Sequence, residues 1–260
     1  KDPSTGKLKL KYGWAAKELL DSDYIDHLEG KKSIGVQPCN DDGLSNFGAI
    51  DIDSDEYDNF DLRKYLEIID KKNIPVVPVK SKSGGLHIYV FFKEPVKASF
   101  VRNFLDKLLF TFSLKASTEI FPKQTQLGTG SDGKFINGNF INLPYYNRNE
   151  RVGLNLDGTE FTFEQFLKVV EANKKTKEEI EEFATELMRL ELTGGADEFA
   201  DGPVCLQRLS KSKLDDYRDR FIYNYMVFAK KKYPDNWEEK LLEGARNYIV
   251  YDNIWGDEKV

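Results

Sequence analysis

The chain is poor in the residues that most often announce a function. Two cysteines, Cys39 and Cys205, and two histidines, His27 and His87, are spread over 260 residues. Neither a disulfide framework nor a Cys/His zinc cluster is supported by so few. Any metal ion has to be held mainly by carboxylates, which favours Mg²⁺ or Mn²⁺. No apolar run approaches the roughly 20 residues that a membrane-spanning helix needs, and no leader-like segment is present. With lysine at position 1, the sequence reads as a fragment of a longer, cytoplasmic protein. Positive charge is not in excess either. The net charge of -6 argues mildly against a nucleic-acid partner, but the first 130 residues are balanced and the acidic excess falls in the second half. Frequent Lys-Lys pairs with few Met resemble a heat-adapted composition, which bears on habitat more than on function.

What the chain does have is a hydrophobic fraction of 40% and an aromatic fraction of 13%, enough for one substantial core and a smaller second one. Helical spacing runs from Trp14 to Leu28 and stops at Gly30. Ser33 to Gln37 and Phe47 to Asp53 read as strands joined by the polar turn Asn40-Asp41-Asp42-Gly43, and Leu62 to Lys72 as an amphipathic helix ending before Pro75. Val76 to Val79 and Leu86 to Phe92 form an expected antiparallel pair across Ser81 to Gly85, followed by a helix from Ser99 to Leu114. Short strands near Glu119 to Phe121 and Asn139 to Leu143, then a helix from Thr162 to Ala172, complete an α+β pattern. Beyond it the composition turns Lys- and Glu-rich. The expected organisation is a catalytic domain over 1–175, a helical linker over 176–200, and a small helical bundle over 201–260, cut short at Val260, with helices Asp215 to Lys232 and Trp237 to Val250.

The chemistry concentrates in two segments. In Gly48-Ala-Ile-Asp51-Ile-Asp53, strand alternation projects both carboxylates from one side while Ala49, Ile50 and Ile52 anchor the strand in a core, making a metal-binding pair on a rigid platform. About thirty residues on, Ser81-Lys82-Ser83-Gly84-Gly85-Leu86-His87 is a basic, glycine-containing turn that leads into a strand carrying a histidine, an arrangement suited to presenting cations and amides to a triphosphate. Two other matches fail on geometry. Asp51-x-Asp53-x-Asp55 opens like a calcium loop, but Glu56 replaces the glycine at its sixth position and Leu62 the glutamate at its twelfth. Gly128 to Lys134 imitates a phosphate-binding loop, but Phe135 stands where Ser or Thr would hold the metal, and a surface hairpin is the better reading.

In order and spacing, Ile50-Asp51-Ile52-Asp53 followed by Ser83-Gly84-Gly85-Leu86-His87 resembles the archaeo-eukaryotic primase superfamily, and within it the primase-polymerases of plasmid, phage and CRISPR-associated elements that carry a helix-bundle extension. The likeness covers most of residues 12–145. It implies a catalytic core with an RRM-like antiparallel sheet and a DNA primase-polymerase activity: template-directed nucleotidyl transfer on single-stranded DNA, with a primer strand and NTPs or dNTPs as substrates. It also implies two divalent ions, Mg²⁺ or Mn²⁺, about 3.5 to 4 Å apart, on Asp51, Asp53 and a third acid on a later strand. Glu119 in Ser117-Thr-Glu119-Ile-Phe-Pro-Lys-Gln124 matches that third place, with Asp106 and Asp132 as fallbacks. His87, Ser83 and the Gly84 and Gly85 amides would grip the triphosphate, Lys80 or Lys82 would neutralise it, and Lys123 and Gln124 would contact nucleotide or template. In the helical part, Arg208, Lys211, Lys213, Arg218 and Arg220 are candidates for template phosphates, whereas Phe221, Tyr225, Phe228, Trp237 and Leu241 read as bundle core. A monomer is expected. Three other readings stay open: an end-joining or repair polymerase that only extends, a noncatalytic nucleic-acid-binding module, and a metal-dependent phosphohydrolase.

Overall fold

Four segments pair into one antiparallel sheet: β2 (Leu44–Ile52), β3 (Val77–Lys80), β4 (Leu86–Lys97) and β5 (Glu119–Phe121), in the order β3-β4-β2-β5. They belong to a computed structural model that describes residues 18–57, 60–129, 135–136, 138–192, 197–211 and 213–250. Alternation along each strand sorts the residues onto two faces. One face buries Ile50, Ile52, Leu86, Ile88, Val90 and Ile120 beneath three helices, α2 (Leu62–Lys71), α3 (Ala98–Thr111) and α5 (Lys177–Leu192). The other packs Ala49, Val77, Val79, Tyr89 and Phe121 against Tyr145, Val152 and Phe166, the last on α4 (Phe163–Asn173). Helix starts follow local chemistry. The Asp61 carboxylate accepts from the Arg63 amide at the head of α2, and Thr162 and Gln165 cap α4 reciprocally.

The remaining small elements close the second face. α1 (Asp21–Leu28) ends at a left-handed Gly30, and the expected residues 14–17 of this helix lie outside the described residues. β1 (Gly35–Val36) pairs with β8 (Ile141–Asn142) rather than with β2. The expected Ser33–Phe47 hairpin is therefore reduced to a single Cys39 to Ser45 bridge. The backbone turns at Asn40-Gly43, where Gly43 N–H donates to Asn40 O, but the strand before it leaves to join the later chain. His27 serves this junction. Its Nδ1 accepts from the Ile34 amide and its Nε2 donates to Pro144 O, which fixes a neutral, buried ring whose pKa is lowered chiefly by desolvation. β6 (Gly128–Thr129) and β7 (Phe135–Ile136) form the expected surface hairpin, with residues 130–134 outside the described set.

α5 is not a linker. It buries Ile180, Ala184 and Leu187 in the core under the sheet, and Lys175, two residues before it, is tied to β4, since Lys175 N–H donates to Phe91 O and Lys93 N–H to Lys175 O. The first packing unit thus extends through α5, past the change in composition at 175. After it, α6 (Val204–Leu209), α7 (Arg218–Lys232) and α8 (Trp237–Tyr248) enclose a separate core around Phe199, Phe221, Tyr225, Phe228 and Leu241. The sequence reading missed α6, a single uncapped turn and a half. It also started α7 three residues early: Asp216 accepts from the amides of Ala116 and Tyr217, and Tyr217 takes φ +61, so the helix begins only at Arg218. Among the described residues no helix is long and apolar enough to cross a membrane.

Membership of α5 in the main core has a measurable consequence. Leu187→Ala removes a buried side chain with little room to collapse, and should cost about 2 to 5 kcal/mol in urea unfolding. A helix that merely linked two units would lose a few tenths at most.

Candidate active site

Sheet register brings the candidate residues together. Asp51 on β2 lies directly opposite His87 on β4 and directly opposite Glu119 on β5. Residues opposite each other share a face, so the three side chains form one row across neighbouring strands. The row continues to Val79 on β3. His87 Nε2 stands 3.0 Å from Asp51 Oδ1, an oxygen that is buried and has no other partner. On the other side of the ring, Tyr89 Oη lies 3.4 Å from Nδ1. Asp53, one residue past the strand, opens a 3-10 turn (Ser54–Glu56). Its pKa is raised, first by desolvation and then by the charges of Asp51, Asp55 and Glu56, with His87 acting in the opposite direction.

The Ser81–Gly85 turn is built against this carboxylate end. Ser81 N–H donates to Gly85 O and Gly84 N–H to Ser81 O, with Gly84 at φ +88. A Cβ on Gly85 would fall 2.1 Å from Ile52 O, so only glycine lets the turn lie across the end of β2. Ser54 Oγ donates to Ser83 O at 3.3 Å, and Ser83 Oγ meets Ser81 Oγ at 3.1 Å. The Gly84 amide, expected to grip a triphosphate, is already used within the turn. Ser83 and Gly85 lie against Ser54 and Ile52, the two chain neighbours of Asp53.

The basic residues are distributed less simply. Lys123 pairs with Glu119 and lies 5.1 Å over the Phe121 ring, so the third acid is covered by the cation four residues later. Lys82 reaches Glu150 at 3.1 Å. Lys80 pairs with Glu160 at 3.4 Å and shares a register row with Leu86, which faces the helices, not with His87. Gln124 exchanges hydrogen bonds with Asn139 and acts as a clip for the loop after β5. Of the two fallback acids, Asp106 lines a cavity at the helical part and Asp132 lies outside the described residues. Arg208, Lys211, Lys213, Arg218 and Arg220 also line cavities there, away from the carboxylate row.

Several residues of the site carry no sequence signal, or only a faint one. Tyr57 Oη makes a 2.5 Å hydrogen bond with Thr118 Oγ1 and accepts from the Lys115 amide, tying the loop after Asp53 to the residue before Glu119. Arg102 donates to the carbonyls of Pro122 and Lys123, each at 2.8 Å, and pins the segment that follows β5. Tyr89 could have been found, because it sits two residues after His87 on the same strand face. Arg151 could not: it is buried at φ +57, donates to Leu143 O, and its charge is felt by Tyr89.

A carboxylate pair ends a central antiparallel strand, an acid and a histidine stand on its two neighbours and a Ser/Gly turn crosses the top, all within a stretch that matches an archaeo-eukaryotic primase-type domain. The chain belongs to that group: residues 7–183 match the family described as the TOTE conflict system, archaeo-eukaryotic primase domain. The match places it in the nucleotidyltransferase superfamily and ends inside α5, before α6, α7 and α8. It names a conflict system, where the sequence reading looked to plasmid, phage and CRISPR-associated elements. No curated protein matches the chain.

Two outcomes follow from the crowding of this end of the sheet. Asp53 has a raised pKa, so its folded state binds a proton more tightly than the unfolded state does. Its contribution to stability is present below the unfolded pKa and is lost as pH rises through the folded one. In a chelator, Asp53→Asn should therefore raise the melting temperature at neutral pH, by roughly 2 °C, and the gain should vanish towards pH 4. Gly85→Ala should uncouple the turn from Ile52 and be read as faster amide exchange across 81–85, with β2 and β4 still protected.

Proposed function

We propose that the chain is a DNA primase-polymerase, joining nucleotides on a single-stranded DNA template by metal-dependent nucleotidyl transfer. The observation that carries this reading is the single register row His87, Asp51, Glu119, with Asp53 beside it and Asp51 Oδ1 buried and met only by the His87 ring. A buried carboxylate oxygen with so little compensation favours a cation, and an all-oxygen donor set suits Mg²⁺ or Mn²⁺. Asp51 and Asp53 would hold the ions. Among the described residues no three His, Cys, Asp or Glu side chains converge closely enough to enclose a metal, because Glu119 is turned onto Lys123. Glu119 joins the set once it exchanges Lys123 for substrate or ion. Bound there, a pair of divalent ions supplies Lewis-acid activation of a 3′-hydroxyl and charge neutralisation of the leaving pyrophosphate.

The protein's own groups divide the remaining work. In the proposed reaction the 3′-hydroxyl oxygen attacks the α-phosphorus of the incoming triphosphate in line, and the bond to the pyrophosphate breaks. His87 is buried in the row with Nε2 beside Asp51 Oδ1, and in the proposed reaction Nε2 donates to a phosphate oxygen while Tyr89 holds the ring from Nδ1. Ser83 and the Gly85 backbone border the same space. Lys82 and Lys123 are cations paired to single carboxylates at partly exposed positions, and such pairs exchange readily for a phosphate. Lys80, held at the outer edge of the sheet by Glu160, is left out of this set. The Tyr57–Thr118 hydrogen bond fixes the spacing between the Asp53 loop and the Glu119 strand, so it governs how the acids can share ions.

Asp51→Ala combined with Asp53→Ala should reduce incorporation of labelled nucleotide on a single-stranded template to background while circular dichroism stays unchanged. Undiminished incorporation by that double variant would overturn the mechanism, and release of free phosphate or nucleoside without a longer product would favour a phosphohydrolase. The unprimed assay, with NTPs, dNTPs or both and with Mg²⁺ or Mn²⁺, separates an initiating enzyme from one that only extends.

A further inference from the structure

The helical unit that follows α5 grips the first unit with a carboxylate. Asp216, between α6 and α7, accepts the Ala116 amide at 2.6 Å through Oδ2 and the Tyr217 amide at 2.7 Å through Oδ1. One oxygen thus serves the first packing unit and the other serves the second, and charge-assisted bonds of this length are the strong ones. The geometry is held against backbone preference. Tyr217 takes φ +61, a left-handed conformation that a large side chain rarely adopts unless its surroundings impose it. Nearby, Phe110 on the last turn of α3 packs against the core of the helical unit, with the Arg208 guanidinium 4.3 Å over its ring. Asp216 lies outside the family match, which ends at residue 183.

What Asp216 holds is the turn 115–118, closed by Thr118 N–H donating to Lys115 O. Leu114 and Thr118 are buried at its flanks, but residues 115–117 are exposed, so the placement of the turn between them rests on polar contacts. Those contacts run to the carriers of both acids. On one side, Lys115 N–H donates to Tyr57 Oη, while its ammonium donates to Glu56 O and lies 5.0 Å over the Tyr57 ring. Glu56 N–H in turn donates to Asp53 O, which ties the loop that presents Asp53 to the turn. On the other side, Thr118, hydrogen-bonded to Tyr57, is the residue before Glu119. We infer that Asp216 is a positioning residue for the carboxylate row: through it the helical unit braces the 115–118 turn and sets the separation between Asp53 and Glu119. That separation matters for catalysis only on the nucleotidyl-transfer reading; the coupling itself does not rest on that reading and is measured without turnover.

The test is amide hydrogen exchange of the whole chain, read at residues 53–57, together with Mn²⁺ binding followed by electron paramagnetic resonance without nucleotide. Asp216→Ala should speed exchange at 53–57, a segment it does not touch, and weaken Mn²⁺ binding by roughly threefold or more. Ala116→Pro removes the same bond from its donor side, at a turn position that proline suits, and leaves Asp216 to the Tyr217 amide. It should have the same two effects, and in nucleotide incorporation both variants should lose kcat with nucleotide KM little changed. Leu241→Ala loosens the helical core without touching the bond. It should lower the melting temperature and leave 53–57 exchange and Mn²⁺ binding within about twofold of the parent. Unchanged exchange at 53–57, or unchanged Mn²⁺ affinity, in Asp216→Ala and Ala116→Pro would overturn the brace. Equal changes in Leu241→Ala would also overturn it, since they mark general loosening. A parent chain that binds no Mn²⁺ and incorporates nothing refutes the nucleotidyl-transfer reading, and exchange alone then decides the brace.

Discussion

The structure depends on the pairing of β2 with both β4 and β5 in one register. Because side chains alternate along a strand, a slip of one residue on either side would carry His87 or Glu119 to the helix-covered face. It would also bring Ile88, Leu86 or Ile120 out of the main core. The burial of Ile50, Ile52, Ile88 and Ile120 is therefore what sets Asp51 between His87 and Glu119. Each buried aliphatic side chain is worth about 1.5 to 3 kcal/mol of transfer free energy, whereas an exposed pair such as Glu119 with Lys123 contributes little. Hydrophobic burial positions the acids, and the acids oppose one another at its expense.

That opposition is visible in Asp53. Its pKa is raised by desolvation and by three neighbouring carboxylates, with only His87 acting against them. An end of a sheet under such repulsion would be expected to splay, and four contacts hold it. The Tyr57–Thr118 hydrogen bond closes one side, Ser54 to Ser83 and the close Gly85–Ile52 approach close the top, and Arg102 clamps the chain just after β5. None of these contacts uses a carboxylate of the row. The clamps leave the acids of the row to other partners, His87 for Asp51 and Lys123 for Glu119.

What could be read from the sequence was the part governed by period and by turn chemistry. Strand alternation put Asp51 on the face away from Ile50 and Ile52, though Asp53, expected on the same strand, falls one residue past it; the glycines marked the Ser81–Gly85 turn, and Glu119 began a strand at its expected residue. What could not be read was pairing between distant segments. The β1 strand looked like a partner of β2 across a polar turn, but it joins β8 more than a hundred residues later. Composition misled at α5, where a Lys- and Glu-rich surface hides Ile180, Ala184 and Leu187 at helical spacing on the inner side. Residues that act by cross-linking loops, Tyr57, Thr118 and Arg102, have no local pattern at all. Their significance exists only once the loops are adjacent.

The pairing of Glu119 with Lys123 and of Lys82 with Glu150 suggests how such a site stays soluble and ready before substrate arrives. Each is a single contact at a partly exposed position, so its loss costs little. On the proposed function, a triphosphate entering the row would bring several negative charges, enough to draw both lysines from their carboxylates. Glu119 would then be freed at the moment when cations accompany the nucleotide, and it would complete the acid set only with substrate present. On this account the coupling between nucleotide and metal is a property of two weak ion pairs, and the strength of the sheet beneath them allows those pairs to be weak. A Lys123→Met change separates this account from one in which Lys123 only grips nucleotide. Exposing Glu119 should tighten Mn²⁺ binding in the absence of nucleotide, while loss of a nucleotide grip alone would leave Mn²⁺ binding unchanged.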